Sequence, residues 1–230
     1  MLLNLRTPPP LHPTTKALDT KPLHIACVLF PGFQLLDVCG PLDILNVLSR
    51  TQPIKLSMLA SSLEPVSTFT RVAANEIHQS LVPTHTFSSP PSEPIDVLFV
   101  PGGYGCREDL SEAETFLKAR FETCQYLMTV CTGSALSART GILDGKKATS
   151  NKRSFEWVKT QGPNVEWIKK ARWVADGQCW TSSGVAAGMD MTLGWIKHVY
   201  GQDVAKDTAD SIEYEWNEDS EKDRFADLYP

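Results

Sequence analysis

The chain has the sequence QYLMTVCTGS at residues 125–134, and this stretch decides the fold. Gln125 to Val130 is an apolar run typical of a strand that is buried on both faces of a parallel sheet. Ala135 to Thr140 continues as a helix, and Gly141 is the residue type expected just past a helix end. We therefore predict that Cys131 lies on a tight turn between a buried strand and a helix.

The same alternation of strand and helix extends in both directions from this stretch. Gly40-Pro41 interrupts the first helical pattern and predicts that the regular helix begins at Pro41. An Asp176-Gly177 pair predicts a tight hairpin turn. The alternation predicts an α/β fold, a doubly wound and mostly parallel sheet with helices on both faces. The other predicted strands include His24 to Phe30, Ile54 to Leu59, Asp96 to Val100, Lys147 to Ser150, Val165 to Val174 and Gln178 to Ser182. The other predicted helices are Leu35 to Leu48, Ser111 to Cys124, Arg153 to Thr160, Gly184 to Tyr200 and Asp203 to Glu215.

Composition excludes several classes of protein. The 230 residues carry a net charge of −5, and only 21% are charged, too few for a disordered chain. No apolar run reaches the roughly 18 residues of a membrane span, so no membrane association is expected. The acidic balance argues against a nucleic-acid partner, which needs a basic face.

Three segments are predicted from the distribution of proline and charge. Residues 1–22 form a Pro-rich tail that we expect to be disordered, and residues 23–216 form a single domain without an internal linker. Residues 217–230 contain five acidic and two basic residues. We expect them to be a solvated acidic tail, which leaves the preceding residues nearly neutral.

The six cysteines point to a reducing, cytoplasmic compartment. None forms a Cys-x-x-Cys pair, so no structural zinc site is expected. Several lie in apolar runs, such as Cys27 and Cys131, where cysteine usually packs as a small hydrophobic residue. Cys39 and Cys106 lie beside the motifs described next, and their roles stay open.

Cys131 is the candidate nucleophile. A strand-to-helix turn holds such a residue exposed on a strained backbone, as in nucleophile elbows. The helix N-terminus behind it offers free N–H groups and a positive dipole end, which favour the thiolate. We therefore expect a lowered thiol pKa and a competent nucleophile. The alternative is a buried, inert cysteine.

Two more segments place unusual residues at predicted strand ends. Gly102 and Gly103, in Pro101-Gly102-Gly103-Tyr104-Gly105, let backbone amides approach an anionic centre, as in an oxyanion hole. The alternative is an ordinary Gly-rich turn. Asp37 is flanked by apolar residues, and its burial would raise its pKa and suit it to general acid catalysis. The alternative is a helix cap or turn carboxylate.

Together these segments resemble the ThiJ/PfpI superfamily, relatives of the class I glutamine amidotransferase domain. The resemblance covers about residues 23–216 and implies a flavodoxin-like, glutamine amidotransferase-like sandwich. Within the superfamily the chain looks most like the isonitrile hydratases, which have Asp at the position of Asp37 and Cys-Thr-Gly at the elbow. Thr132 stands where the protease pattern has His, which disfavours proteolysis. The segments that match are 29–33, 37–41, 96–103, 130–134, 141–149 and 183–190.

One departure from the isonitrile hydratase pattern bears on the substrate. Those proteins commonly carry a His-Trp pair after the Ala-Thr strand, whereas here Ser150-Asn151-Lys152-Arg153 follows Thr149. The wall of the pocket is therefore expected to differ.

The resemblance implies a lyase that adds water to an isonitrile to give an N-substituted formamide through a Cys131 thioimidate. Cys131, Asp37 and Thr132 are then the catalytic residues. No metal or organic cofactor is expected; the partners are a small electrophilic substrate and a second copy of the chain in a homodimer. The open alternatives are a glyoxalase-like or redox-responsive protein of the same fold and a non-catalytic binding module. The predicted substrate-binding residues are Gly102, Gly103, Ser182 and Ser183.

Overall fold

A seven-stranded sheet forms the centre of the molecule in the computed structural model, which describes residues 23–70, 72 and 77–229. The predicted tail at residues 1–22 lies outside the described residues. The strands are β1 (Leu23–Val28), β2 (Ile54–Ala60), β3 (Val66–Ser67), β4 (Ser80–Leu81), β5 (His85–Thr86), β6 (Val97–Val100), β7 (Tyr126–Thr129), β8 (Lys147–Ala148), β9 (Glu166–Trp167), β10 (Trp173–Asp176) and β11 (Cys179–Ser182).

The central sheet has the strand order β10-β11-β7-β6-β1-β2-β5. All neighbours in it are parallel except β10 and β11, which form the predicted hairpin about Asp176-Gly177. β6 is buried along its whole length, as expected of a strand covered on both faces. The prediction of a doubly wound, mostly parallel sheet is confirmed.

Six α-helices cover the two faces in the described part of the chain. Contacts group α1, α5 and α6 in one layer and α2, α3 and α4 in the other. The apolar core lies between these layers and the sheet. The helices are α1 (Leu35–Leu48), α2 (Ser111–Phe121), α3 (Gly133–Arg139), α4 (Phe155–Gln161), α5 (Ala187–Tyr200) and α6 (Gln202–Ser211). No helix among the described residues has the length and apolar character needed to span a membrane.

The predicted start of the first helix at Pro41 is wrong, because α1 begins six residues earlier and contains Pro41. Proline removes one backbone N–H bond and normally ends a helix. Here burial holds the first turns in place, since Asp37, Val38, Gly40 and Pro41 all face the core. A Cβ on Gly40 would lie 2.9 Å from Met189 Cγ, so α1 and α5 pack closely at this point.

The strand order places the carboxyl ends of several strands at one edge. The chain passes from β1 to β2 on one side and then to β6 on the other side of β1. Such a reversal opens a crevice at the carboxyl ends of the two central strands, where doubly wound folds bind ligands. Asp37 follows β1, Gly102 follows β6, and Cys131 follows β7. The topology therefore brings the three predicted segments to one place.

The C-terminal segment, residues 217–229, has neither helix nor strand and packs against the domain. The Arg172 N–H donates to the Ser220 carbonyl at 2.6 Å, which ties the segment to the start of β10. Asp223 is only 3% exposed. The expectation of a fully solvated tail is therefore wrong at this residue, because Asp223 has a buried cationic partner described below.

Candidate active site

The predicted elbow at Cys131 is confirmed by its backbone. Cys131 has φ 57°, in the left-handed region that non-glycine residues seldom adopt. It lies between β7 and α3. The expectation that it is exposed is wrong, because it is only 6% exposed and packs in the core. A non-glycine residue stays in this conformation only where the surrounding structure holds it there.

Four hydrogen bonds hold the Cys131 peptide groups. Its N–H donates to the carbonyls of Ser182 at 3.2 Å and Ser183 at 3.1 Å. Its carbonyl accepts hydrogen bonds from the hydroxyls of Ser134 at 3.0 Å and Ser150 at 2.8 Å. Because the backbone is fixed on both sides, the direction of the Cys131 side chain is fixed as well.

Asp37 lies in the first turn of α1 and is completely buried. Its Oδ2 accepts a hydrogen bond from the Gly102 N–H at 2.9 Å. Its Oδ1 is also buried, and no nitrogen or oxygen of the described residues donates to it. A buried carboxylate oxygen with no N–H or O–H donor is costly when charged. Asp37 is therefore not an ordinary cap or turn carboxylate.

Thr132 and Gly103 hold each other across the site. The Gly103 N–H donates to Thr132 Oγ1 at 2.9 Å, and the Thr132 hydroxyl donates to the Gly103 carbonyl at 3.1 Å. Gly102 also fits tightly, since a Cβ there would lie 2.5 Å from the Thr132 nitrogen and 2.9 Å from Asp37 Oδ2. Only glycine allows this approach.

The predicted oxyanion-hole role of the two glycine amides does not match these bonds. Both N–H groups already donate to protein acceptors, Gly102 to Asp37 and Gly103 to Thr132. In the structure these two amides position the Asp37 carboxyl group and the Thr132 hydroxyl group.

The acid–base properties of the site are dominated by burial. Burial raises the pKa of Asp37 to about 7, although hydrogen bonds from the Gly102 amide and the Cys131 thiol oppose the rise. Burial also raises the pKa of the Cys131 thiol well above its ordinary value, and the negative charge of Asp37 raises it further. Near neutral pH the pair therefore holds its proton on sulfur, and the carboxyl group is partly ionised.

The prediction of a lowered thiol pKa is wrong. The backbone N–H groups of Thr132 and Val185 hydrogen-bond to the sulfur and do lower the thiol pKa. Desolvation and the neighbouring carboxylate outweigh them, because α3 is a short helix of seven residues and the sulfur has little contact with water.

The two predicted serines have different positions. Ser182 is fully buried, and its hydroxyl donates to the Thr129 carbonyl within the sheet at 3.4 Å. Ser183 does line a cavity of 220 Å³ beside the site. Its hydroxyl donates to Asp223 Oδ2 at 3.0 Å.

Val185 is a residue of the site that sequence reasoning missed. It has φ 41°, although a β-branched side chain is strongly disfavoured there. This strained conformation directs its N–H to the Cys131 sulfur. No sequence signal marks it, since glycine or asparagine is the residue type expected at such a position.

Cys39 and Cys106 differ in their relation to the site. Cys39 lines a separate groove between α1 and β2. Cys106 is fully buried, and burial raises the pKa of its thiol to about 12, although a hydrogen bond with Thr132 opposes the rise. Cys106 is therefore a neutral packing residue behind Thr132.

Comparison with known proteins identifies what the chain is similar to. The family model described as DJ-1/PfpI family matches residues 24–198. An isonitrile hydratase of Pseudomonas putida is 32% identical over 194 residues, 84% of this chain and 78% of that protein. The HTH-type transcriptional regulator GbdR of Pseudomonas aeruginosa is 28% identical over 191 residues, which are 80% of this chain but only 50% of the regulator.

Solved structures of similar proteins have the same fold as this chain. A ThiJ/PfpI family protein from Pseudomonas syringae superposes with a TM-score of 0.75 at 27% identity, covering 94% of this chain and 85% of that one. Drosophila melanogaster DJ-1beta gives a TM-score of 0.69 at 19% identity, covering 85% of this chain and all of that one.

Proposed function

The chain belongs to the DJ-1/PfpI family, and from this premise we propose that it is an isonitrile hydratase-like enzyme. It would add water to an isonitrile and release an N-substituted formamide. The observation that carries the proposal is the buried pair of Cys131 and Asp37, in which a neutral thiol lies beside a carboxyl group of pKa about 7. Similarity to an isonitrile hydratase supports the choice of substrate.

The first step uses the pair as one unit. The Cys131 thiol gives its proton to ionised Asp37 as the sulfur attacks the terminal carbon of the isonitrile. Asp37 then delivers that proton to the same carbon, and a thioimidate, R–N=CH–S–Cys131, results. A carboxyl group with a pKa near the working pH suits both halves of this transfer. The transferred proton moves from sulfur to carbon, and Asp37 ends ionised.

The second step hydrolyses the thioimidate. Asp37 accepts a proton from water as the water oxygen bonds to the carbon. Asp37 passes this proton to the nitrogen, which gives R–NH–CH(OH)–S–Cys131. Asp37 then takes the hydroxyl proton as the C=O bond forms and the C–S bond breaks, and it passes that proton to the sulfur, which leaves as a thiol. The sum is one isonitrile and one water consumed for one formamide, with Cys131 and Asp37 returned to their starting states. In this scheme the N–H groups of Thr132 and Val185 stabilise the sulfur whenever it carries negative charge.

The same pair disfavours a redox-sensing role. Oxidation of cysteine follows thiolate character and exposure. Cys131 is 6% exposed, and its thiol pKa is raised rather than lowered. A readily oxidised sensor needs the opposite properties.

The test is hydration of a simple alkyl isonitrile in H₂¹⁸O, with the formamide detected by mass spectrometry. Wild type should form formamide with one ¹⁸O, and Cys131→Ala should form none above the buffer rate. Asp37→Asn should lose nearly all activity, because the variant can neither accept nor deliver the proton. Cys39→Ala is the matched control, since it removes a thiol that lies in a different groove, and it should remain active.

Three results would contradict the proposal. Full turnover by Cys131→Ala would exclude the thiol as nucleophile. Conversion of methylglyoxal to lactate, with no formamide from any isonitrile, would favour a glyoxalase-like enzyme. Absence of both activities would favour a non-catalytic binding module.

A further inference from the structure

The loop after Thr149, where the sequence departs from the isonitrile hydratase pattern, contains a buried lysine. Lys152 Nζ donates to Thr149 Oγ1 at 2.9 Å and to the Ala171 carbonyl at 2.9 Å. It also forms an ion pair with Asp223 Oδ2 at 3.3 Å, and the two side chains are 2% and 0% exposed. A buried lysine with this many partners fixes the loop and anchors the C-terminal segment on it.

This ion pair is linked to the elbow. The Ser183 hydroxyl donates to Asp223 Oδ2, while the Ser183 carbonyl accepts the Cys131 N–H. Ser150, two residues before Lys152, donates its hydroxyl to the Cys131 carbonyl. The C-terminal segment is therefore joined to the backbone of Cys131 through two buried paths, and is part of the same local structure.

The anchored segment closes one side of a cavity of 220 Å³. Phe225 and Tyr229 line it from the C-terminal segment, and Asn151 and Arg153 line it from the loop. Val185 lies in the same wall, and its N–H points at the Cys131 sulfur. The cavity therefore adjoins the candidate reaction centre.

The cavity combines three apolar or aromatic side chains with polar residues and one uncompensated positive charge. Among the described residues, Arg153 forms no ion pair with a carboxylate, whereas Lys152 is neutralised by Asp223. None of the residues that line the cavity is acidic. A cavity of about 150 Å³ holds a benzene molecule, so 220 Å³ accommodates a ring with a small polar group.

We propose that this cavity binds the nitrogen substituent of the isonitrile and selects a compact apolar or aryl group that carries a carboxylate. Phe225, Tyr229 and Val185 would contact the apolar part, and the Arg153 guanidinium would pair with the carboxylate. This inference rests on the proposed function, because it assigns the substrate class of that same site.

The experiment compares 4-(isocyanomethyl)benzoate with the neutral 4-methylbenzyl isocyanide. Wild type should prefer the benzoate in kcat/KM, and Arg153→Gln should reduce the benzoate-to-neutral ratio by about fivefold, the effect of one exposed charge pair. Arg50→Gln, a change of a remote exposed arginine at the end of α1, should leave the ratio unchanged. Phe225→Ala should raise KM for both substrates.

A binding measurement separates failure of this inference from failure of the proposed function. The two formamide products are titrated into Cys131→Ala by calorimetry, and the benzoate product should bind more tightly unless Arg153→Gln is also present. If wild type hydrates both isonitriles with equal kcat/KM and the formamides bind equally, the inference is overturned while the proposed function stands. If no isonitrile is hydrated, the proposed function fails, and equal binding of the two formamides then overturns the cavity assignment as well.

Discussion

Asp37→Asn should stabilise the folded protein, by an amount that grows with pH. Asp37 has its pKa raised from 3.8 to about 7, so above pH 4 the unfolded chain holds an ionised carboxyl group while the folded chain must keep it protonated or bear a buried charge. The folded state binds more protons than the unfolded state, so stability falls as pH rises between these two pKa values. Asparagine has nearly the same shape without the charge, and it can still accept the Gly102 hydrogen bond.

The magnitude follows from the two pKa values. Linkage with a pKa of 3.8 unfolded and about 7 folded gives a cost of about 2 kcal/mol at pH 5 and about 4 kcal/mol at pH 8. The stability difference between variant and wild type should therefore grow by about 2–3 kcal/mol over this interval. Cys131 is identical in both proteins, and its thiol stays protonated throughout this range.

The assay is reversible urea unfolding of both proteins at pH 5, 6, 7 and 8 in the presence of a reductant, with m-values checked for equality. Curves of stability against pH that run parallel for the two proteins would refute the reasoning, whatever their absolute separation. Such a result would mean that the carboxyl group of Asp37 has an ordinary pKa in the folded protein. The same variant should be inactive, so activity and stability should change in opposite directions at one residue.

Three further predictions concern the same residues. The kcat/KM for an isonitrile should rise about tenfold per pH unit below pH 7 and then level off, because attack by the thiol needs Asp37 to be ionised while Cys131 is protonated. A flat profile from pH 5 to 8 would contradict the proton transfer. Asp37→Asn should speed alkylation of Cys131 by iodoacetamide at pH 8, since it removes a charge that raises the thiol pKa. Alkylation is followed by mass spectrometry of the digested protein, and the Cys39 peptide is the internal control. An unchanged rate at Cys131 would show that Asp37 does not affect the thiol pKa. Gly102→Ala should cost about 1–3 kcal/mol of unfolding free energy and most of the activity, because its Cβ would lie 2.5 Å from the Thr132 nitrogen. The control is Gly145→Ala at φ 72° in open space, which should keep its activity while costing about 1 kcal/mol; equal activities of the two variants would count against the tight fit at Gly102.

The order of elements could be predicted because it depends on local pattern. Buried parallel strands are continuous apolar runs, and the alternation with helices leaves few topologies to consider. The start of α1 could not be predicted, because Pro41 is a strong local signal for the start of a helix rather than its interior. That signal is overruled by burial of the residues before it, and burial depends on contacts with α5 that are distant in sequence.

In the site, too, the features set by local sequence could be predicted and those set by distant contacts could not. The position of Cys131 follows from its neighbours in sequence, and its left-handed backbone was predictable from the strand-to-helix turn. The direction of the shift in the thiol pKa could not be predicted, because it depends on how deeply the sulfur is buried and on a carboxyl group 94 positions earlier in the chain. The roles of Val185 and Asp223 also depend on the assembled fold, because one residue is recognised only by its φ and the other only by its buried partner.

The raised thiol pKa is compatible with the proposed chemistry, because an isonitrile carbon must receive both a sulfur atom and a proton. A Cys131 thiol whose proton can pass to Asp37 supplies both within one buried pair. Burial raises the pKa of Asp37 and makes it a stronger base, while the N–H groups of Thr132 and Val185 oppose the rise at the sulfur. The strained backbone at Cys131 and Val185 is then needed for a specific purpose, since it directs one amide to the sulfur and holds the sulfur beside the carboxyl group.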